Sequence, residues 1–326
     1  MKNREHVAIL FFDKPYSGID NFTRKLVAGF NGEVSIRFFS KSGWLKFFRI
    51  PCVLLINFPS IGVRQFHACF FLLLAKMFGC KIKLIVHEVG SQSILGKMLL
   101  IFLSAISDFV YVVSPVLNET AITGKIRNAK LILQGSNIEL GPQTEISIAT
   151  SDSIVFVGSK PNFSAAKVFG VIDSIKKYND LNLACLKIKW LGLKDEKFAG
   201  ELRSYCAEDV EVEFFDGIAE EKFSDILLDS KCALFPIHDG FTARRSSIVS
   251  ALTHGLPCLV STPKSILESE WLRNQNLSGL YLSECFSYKD VEAFIDSSIN
   301  ENRKEIILSA VRVFNYVRAA SVVEID

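Results

Sequence analysis

Two adjacent arginines, Arg244 and Arg245, run directly into two serines, Ser246 and Ser247, at the point where a helical pattern begins. A polar loop, His238-Asp239-Gly240, precedes them. Ile248, Val249, Ala251 and Leu252 follow at spacings that give a helix one buried face. A helix N-terminus offers unpaired backbone N–H groups and a partial positive charge, which suits a phosphate. Guanidinium forks and hydroxyls at the same point would add charge-assisted, partly bidentate bonds to phosphate oxygens. A plainer reading stands beside this one: a serine merely caps the helix and the arginines are solvated.

The flanking elements favour the chemical reading. The apolar run Cys232–Phe235 stops at Pro236, Gly255 ends the helix, and residues 256–262 read as a further buried strand. Open α/β sheets bind ligands at the carboxyl ends of their strands, which is where this loop falls. Strands alternate with helices along the whole chain, so a parallel sheet with right-handed crossovers is expected in each half. Residues 141–152, GPQTEISIATSD, have linker composition. They place a boundary near residue 148 between domains 1–148 and 149–302, with a last helix over 303–321.

Other candidates sit at strand ends. Gly18 lies in the turn after an apolar strand at residues 7–12, and His87 emerges at the carboxyl end of the strand at 82–86. Gly158-Ser159-Lys160 follows the strand at 154–157, with Lys167 as the alternative lysine, and Gly217 follows the strand at 210–215. Each has a structural reading as well: a simple turn, a buried histidine or a solvated lysine.

Composition excludes several classes. With 49% hydrophobic residues the chain is not disordered. Residues 1–148 hold 17 Lys/Arg against 9 Asp/Glu, and the remainder 20 against 26, so a basic half faces an acidic one. That asymmetry suits an anionic lipid surface or a phosphorylated acceptor, with chance asymmetry as the other reading. Eight cysteines lack C-x-x-C or metal-type spacing, a reducing, cytoplasmic pattern. MKNREHVAILFF goes from charged residues straight into a strand, so no signal peptide is expected. The apolar stretches Ala68–Ala75 and Met98–Ile106 fall short of the roughly 20 residues a bilayer span needs. They read as core helices, or as helices lying on a membrane surface. Neither a dinucleotide fingerprint, a P-loop nor a nucleophile elbow occurs, and no basic–aromatic motif suggests nucleic acid.

The stretch from Asp239-Gly240-Phe241 through the helix at Ser246 to Gly255-Leu256-Pro257 resembles the donor loop of retaining GT-B glycosyltransferases (glycosyl transferases group 1, family 4-like). Arg-Arg-Ser-Ser in place of Gly-Leu-Pro resembles a subset linked to bacterial surface polysaccharides. Ser250 stands where the family carries a helix glutamate that contacts the donor ribose. The resemblance implies a GT-B fold, two Rossmann-like parallel-sheet domains facing across a cleft, with the final helix crossing back onto the first.

It further implies transfer of a sugar from a nucleotide-diphosphate sugar to a glycan or lipid-linked glycan, without cofactor or metal and with retention. His87 and Asp239 would be catalytic. Gly18, Lys160, Gly240, Arg244, Arg245, Ser246 and Ser247 would bind the donor phosphates, and Gly217 and Ser250 the base and ribose. Localisation would be cytoplasmic, with peripheral contact to anionic membrane. Two alternatives stay open: a nucleotide-sugar epimerase of the same fold, and a non-catalytic GT-B-like partner subunit.

Overall fold

Buried Val, Ile and Leu runs separated by helices can hide both faces of their strands only in a parallel sheet covered on either side. A computed structural model of the chain contains two such sheets. It describes residues 6–10, 18–29, 34–38, 53–58, 66–87, 93–115, 126, 128–133, 135–136, 138, 152–206, 209–315, 319–320 and 322–323. Two compact units separate: Met1–Gln134 with Asn315–Asp326, and Gly135–Phe314. The boundary expected near residue 148 lies outside the described residues.

In the first unit, β1 (His6–Leu10), β2 (Val34–Phe38), β3 (Val53–Phe58), β4 (Lys81–Val86), β5 (Phe109–Val112) and β6 (Lys130–Leu131) pair in parallel in the order β2-β1-β3-β4-β5-β6. Helices α1 (Gly18–Ala28), α2 (Phe66–Met77) and α3 (Ile94–Ile106) connect them. The α2 helix stops because Gly79 takes a left-handed φ of 79°. Its N–H reaches Lys76 O while Cys80 N–H reaches Ala75 O, the double bond of a Schellman end. Asp108 then pins two elements: it pairs with Lys76 and accepts from Ile82 N–H at 2.8 Å. The core gathers Phe22, Leu54, Ile56, Leu84 and Tyr111 with Ala320 and Val323 from the far end of the sequence. Buried Lys83 on β4 donates to Val323 O.

In the second unit, β7 (Ser153–Val157), β8 (Lys187–Leu191), β9 (Val212–Phe215), β10 (Cys232–Phe235), β11 (Cys258–Ser261) and β12 (Leu280–Ser283) pair in parallel in the order β12-β11-β10-β7-β8-β9. Its helices are α4 (Ala165–Asn182), α5 (Glu196–Cys206), α6 (Glu220–Asp229), α7 (Ser246–Thr253), α8 (Ile266–Gln275), α9 (Tyr288–Ser298) and α10 (Arg303–Val313). The helix read over 303–321 is therefore interrupted. α10 ends at Val313 and packs on α7, while residues 319–320 and 322–323 are helical within the first unit. Trp190 stacks on Phe156 at 5.0 Å and meets Phe163 edge-on at 4.9 Å, and its indole N–H donates to Gly158 O at 2.8 Å. An aromatic core thus grips the loop after β7. The seven described cysteines are all free thiols, and no helix among the described residues is long and apolar enough to cross a membrane.

Candidate functional site

The second sheet changes direction between β7 and β10. The chain runs β7, β8, β9 to one side and then returns to place β10 against β7's other flank. In open α/β sheets the loops at the carboxyl ends beside such a switch point are where ligands bind. Here those loops are residues 158–164 and 236–245. Backbone bonds join them: Ser164 N–H to Pro236 O at 2.9 Å, His238 N–H to Asn162 O at 3.1 Å, and an antiparallel bridge between Phe163 and Ile237. The corresponding loops of the first sheet, after β1 and β3, lie outside the described residues.

The loop after β10 is anchored at each step. Gly240 adopts φ 75°, and a Cβ there would collide with the Thr262 carbonyl and the Pro263 Cα, so only glycine fits. Phe241, fully buried, sends its N–H to Ser261 O at 2.8 Å. Ala243 N–H reaches the Glu268 carboxylate at 2.9 Å, with Glu268 only 3% exposed. That glutamate starts α8, whose N-cap Ser265 accepts from Glu268 N–H.

At the end of this loop the charged groups converge. Asp239 pairs with the Arg245 guanidinium, and Arg244 approaches the same carboxylate at 3.9 Å. Two guanidinium groups thus meet the Asp239 carboxylate at the N-terminus of α7, and the Glu268 carboxylate also acts on Arg245. The N-cap residue, Arg245, makes no side-chain cap bond, and Ser246 and Ser247 form the first turn. Burial lowers the Arg245 pKa, and Asp239 opposes the shift. Three buried side-chain polar atoms among the described residues have no partner, and two of them, Thr242 Oγ1 and Arg245 Nε, belong to this short span. Leaving such a group unpaired costs about 1–3 kcal/mol, a cost that an anion at this helix end would offset.

Lys167 and Lys160 divide between two places. Lys167 Nζ lies 3.3 Å from Ser261 Oγ, on the residue whose carbonyl holds Phe241. Burial lowers its pKa, with Cys285 raising it, Lys264 lowering it and Glu284 raising it. Lys160 instead pairs with Asp195 at 3.1 Å and lies 4.7 Å over the Phe198 ring, beyond β8. The structure thus brings Asp239, Gly240, Arg244, Arg245, Ser246 and Ser247 onto one loop-and-helix start.

Ser250 is one turn further along α7, buried, with its Oγ accepting from Ser136 Oγ at 3.0 Å. Its carbonyl receives the Nδ1–H of buried His254 at 2.7 Å, which leaves Nε2 to accept from Ser224 Oγ at 2.9 Å. Gly217, at φ 62°, lies beyond β9, three strands across the sheet from β10. At about 4.8 Å per strand that is roughly 14 Å.

In the first unit, Gly18 is the first residue of α1 rather than part of a preceding turn. His87 directly follows β4 and is 6% exposed, set edge-on to Phe22 at 4.9 Å. Asn57 Oδ1 lies 2.9 Å from His87 Nε2, while Asn57 Nδ2 donates to Thr23 Oγ1 and Thr23 donates to Ile19 O. An amide oxygen only accepts, so this chain places the imidazole proton on Nε2. Among the described residues no group of three His, Cys, Asp or Glu side chains is placed to hold a metal.

Glu268 and Thr242 were not among the residues singled out from sequence. A glutamate in the first turn of a polar helix carries no mark of its tie to a loop 25 positions earlier, and a threonine gives no sign of being buried unpaired.

No protein-family model matches the sequence, and no curated protein matches it. Solved structures do. A lipopolysaccharide outer core galactosyltransferase, WaaB, in its apo form superposes with a TM-score of 0.63 at 12% identity, over 98% of each chain. An alpha-glucosyltransferase in complex with UDP and a mismatched DNA gives 0.64 at 12%, over 96% of each. A candidate UDP-N-acetylglucosamine 2-epimerase from Listeria monocytogenes gives 0.61 at 9%, over 98% of this chain and 94% of that one. At these identities the likeness establishes architecture. The chain has the GT-B fold, two parallel-sheet α/β units, each Rossmann-like.

Proposed function

We propose that the chain is a metal-independent glycosyltransferase that moves a sugar, with retention, from a nucleotide-diphosphate sugar to a glycan or lipid-linked glycan. The observation that carries this reading is the uncapped start of α7 at the switch point, with Arg244, Arg245 and two unpaired buried polar atoms. The galactosyltransferase and UDP-bound glucosyltransferase that share the fold support it. A bacterial surface polysaccharide and a cytoplasmic location complete the reading and rest on the sequence resemblance.

In the proposed reaction the acceptor hydroxyl bonds to the anomeric carbon on the face that the diphosphate leaves. The breaking C–O bond delivers its electron pair to the diphosphate oxygen, which also takes the acceptor's proton. Negative charge therefore grows on the diphosphate. Arg244, Arg245, the N–H groups of Ser246 and Ser247 and the serine hydroxyls stabilise that charge more than the ground state. Lys167 adds charge from the end of β11. Asp239 and Gly240 are assigned to the sugar hydroxyls. For His87, Gly18, Lys160, Gly217 and Ser250 the roles rest on the resemblance: sugar contact, close backbone approach, phosphate, base and ribose.

Calorimetric titration with UDP, GDP and their sugar conjugates tests the reading against an Arg244→Ala/Arg245→Ala double variant. Each lost charge-assisted contact is expected to cost about 1.5–3 kcal/mol. No binding of any nucleotide by folded wild-type protein would overturn it. The likeness to the candidate epimerase favours one second reading. Under it, a nucleotide sugar incubated without acceptor changes configuration instead of remaining intact.

A further inference from the structure

Every large apolar side chain that stands exposed among the described residues of the first unit lies on or beside α2 and α3. Phe70, Leu73 and Met77 recur at i, i+3 and i+7 along α2, and Ile94, Met98 and Ile101 at i, i+4 and i+7 along α3, so each helix shows one apolar stripe to solvent. Met77 is 81% exposed and Ile94 79%. Each helix also buries an opposite face in the core, through Leu72 and Ala75 on α2 and Leu99, Leu100 and Leu103 on α3. They are apolar on both sides, where a helix of a water-facing domain carries charge outward.

Topology merges the two stripes. α2 joins β3 to β4 and α3 joins β4 to β5, so both crossovers step the same way across the sheet. Right-handed crossovers then put both helices on one face, side by side, and they do pack together. Their outward stripes look away from the sheet in the same direction and form one apolar surface, of the kind that marks an interaction site.

Charge selects the partner. Neither helix contains Asp or Glu, and each carries one lysine, Lys76 and Lys97. The first unit holds 18 Lys/Arg against 9 Asp/Glu, whereas the second holds 19 against 26. A second copy docked by the same face would set two strongly basic units against each other, which like-charge repulsion opposes. Helices of 12 and 13 residues are too short to cross a bilayer, which takes about 20.

We propose that the α2–α3 face is a docking surface for an anionic lipid bilayer, its apolar stripes seated at the acyl boundary and Lys97 at the headgroups. The inference rests on, and deepens, the reading of a lipid-linked acceptor, but its test needs no donor, so either can fail alone.

The full chain is sedimented with phosphatidylglycerol–phosphatidylethanolamine vesicles and with pure phosphatidylcholine vesicles, at low and high salt. Wild-type protein is expected to partition to the anionic vesicles and to loosen with salt. A Phe70→Ser/Met77→Gln/Met98→Gln variant is expected to lose that partitioning by about tenfold or more, because three large side chains no longer enter the bilayer. Its circular dichroism and melting are expected to match wild type, since all three side chains face solvent. If the triple variant melts early, Lys97→Glu provides the same test with one exposed change, and weaker anionic-vesicle binding is expected. Folded wild-type protein that ignores anionic vesicles overturns the proposal, as does unchanged binding in the variants. A wild-type dimer that the triple variant splits, with neither form sedimenting, overturns it in favour of a second copy.

Discussion

Asp239 occupies the Arg245 guanidinium at the helix end proposed to take the donor diphosphate, so carboxylate and diphosphate compete for one cation. Asp239→Asn removes the competitor's charge and keeps its shape. Two unit charges about 4 Å apart interact by about 4 kcal/mol at an effective dielectric near 20 and about 1 kcal/mol in water. The Asp239 side chain is 41% exposed and Arg245 15%, and screening at the exposed partner brings the effect to about 1 kcal/mol. That corresponds to roughly fivefold in affinity. Asp239→Asn is therefore expected to bind bare UDP or GDP about fivefold more tightly than wild type, while Arg245→Ala binds it about tenfold or more weakly. Transfer rates move differently: both variants slow, because Asp239 is assigned to the sugar. Titration calorimetry with the bare nucleotide, beside initial rates with the sugar conjugate, reads both effects. If Asp239→Asn weakens nucleotide binding as Arg245→Ala does, the carboxylate is scaffolding for the loop and the competition argument is wrong.

Two further outcomes follow from buried groups around the loop. Glu268→Ala strands the Ala243 N–H and is expected to lower stability by about 2–3 kcal/mol in urea unfolding, with nucleotide affinity falling as the loop loosens; an unchanged urea midpoint would show that the bond does not hold the loop. Burial lowers the His254 pKa, so below about pH 6.5 the unfolded chain takes up a proton that the folded chain resists, and stability is lost as pH falls through that value. His254→Gln is expected to flatten melting temperature against pH below about 6.5, and an undiminished slope would assign the acid sensitivity to another group.

The fold was legible because strands buried on both faces leave continuous apolar runs. Ser153–Val157 and Cys232–Phe235 fall within about two residues of where those runs place them. The start of α7 was equally plain, since the arginines and serines stand together in the sequence. α8 was not foreseen: in Ile266–Gln275 only Glu268 and Leu272 are buried, too few to leave a periodic face. The end of α4 carries no glycine to mark it, because Leu183 takes the left-handed φ of 50° that closes it. The choice between Lys160 and Lys167 depends on which way each side chain turns. Those directions are set by Asp195 and Phe198 on one side and Ser261 on the other, contacts 35 or more positions away in the chain.

The first unit is assembled from both ends of the sequence, with the second unit threaded between them as an insertion. Ala319, Ala320 and Val323 are buried in its core, and Lys83 reaches forward 240 positions to the Val323 carbonyl. During synthesis, residues 1–134 therefore emerge with part of their core still unmade, while the inserted unit has all its described strands once residue 283 appears and its last helix by residue 313. A chain cut directly after residue 314 would leave its second unit whole and its first unit with an open core.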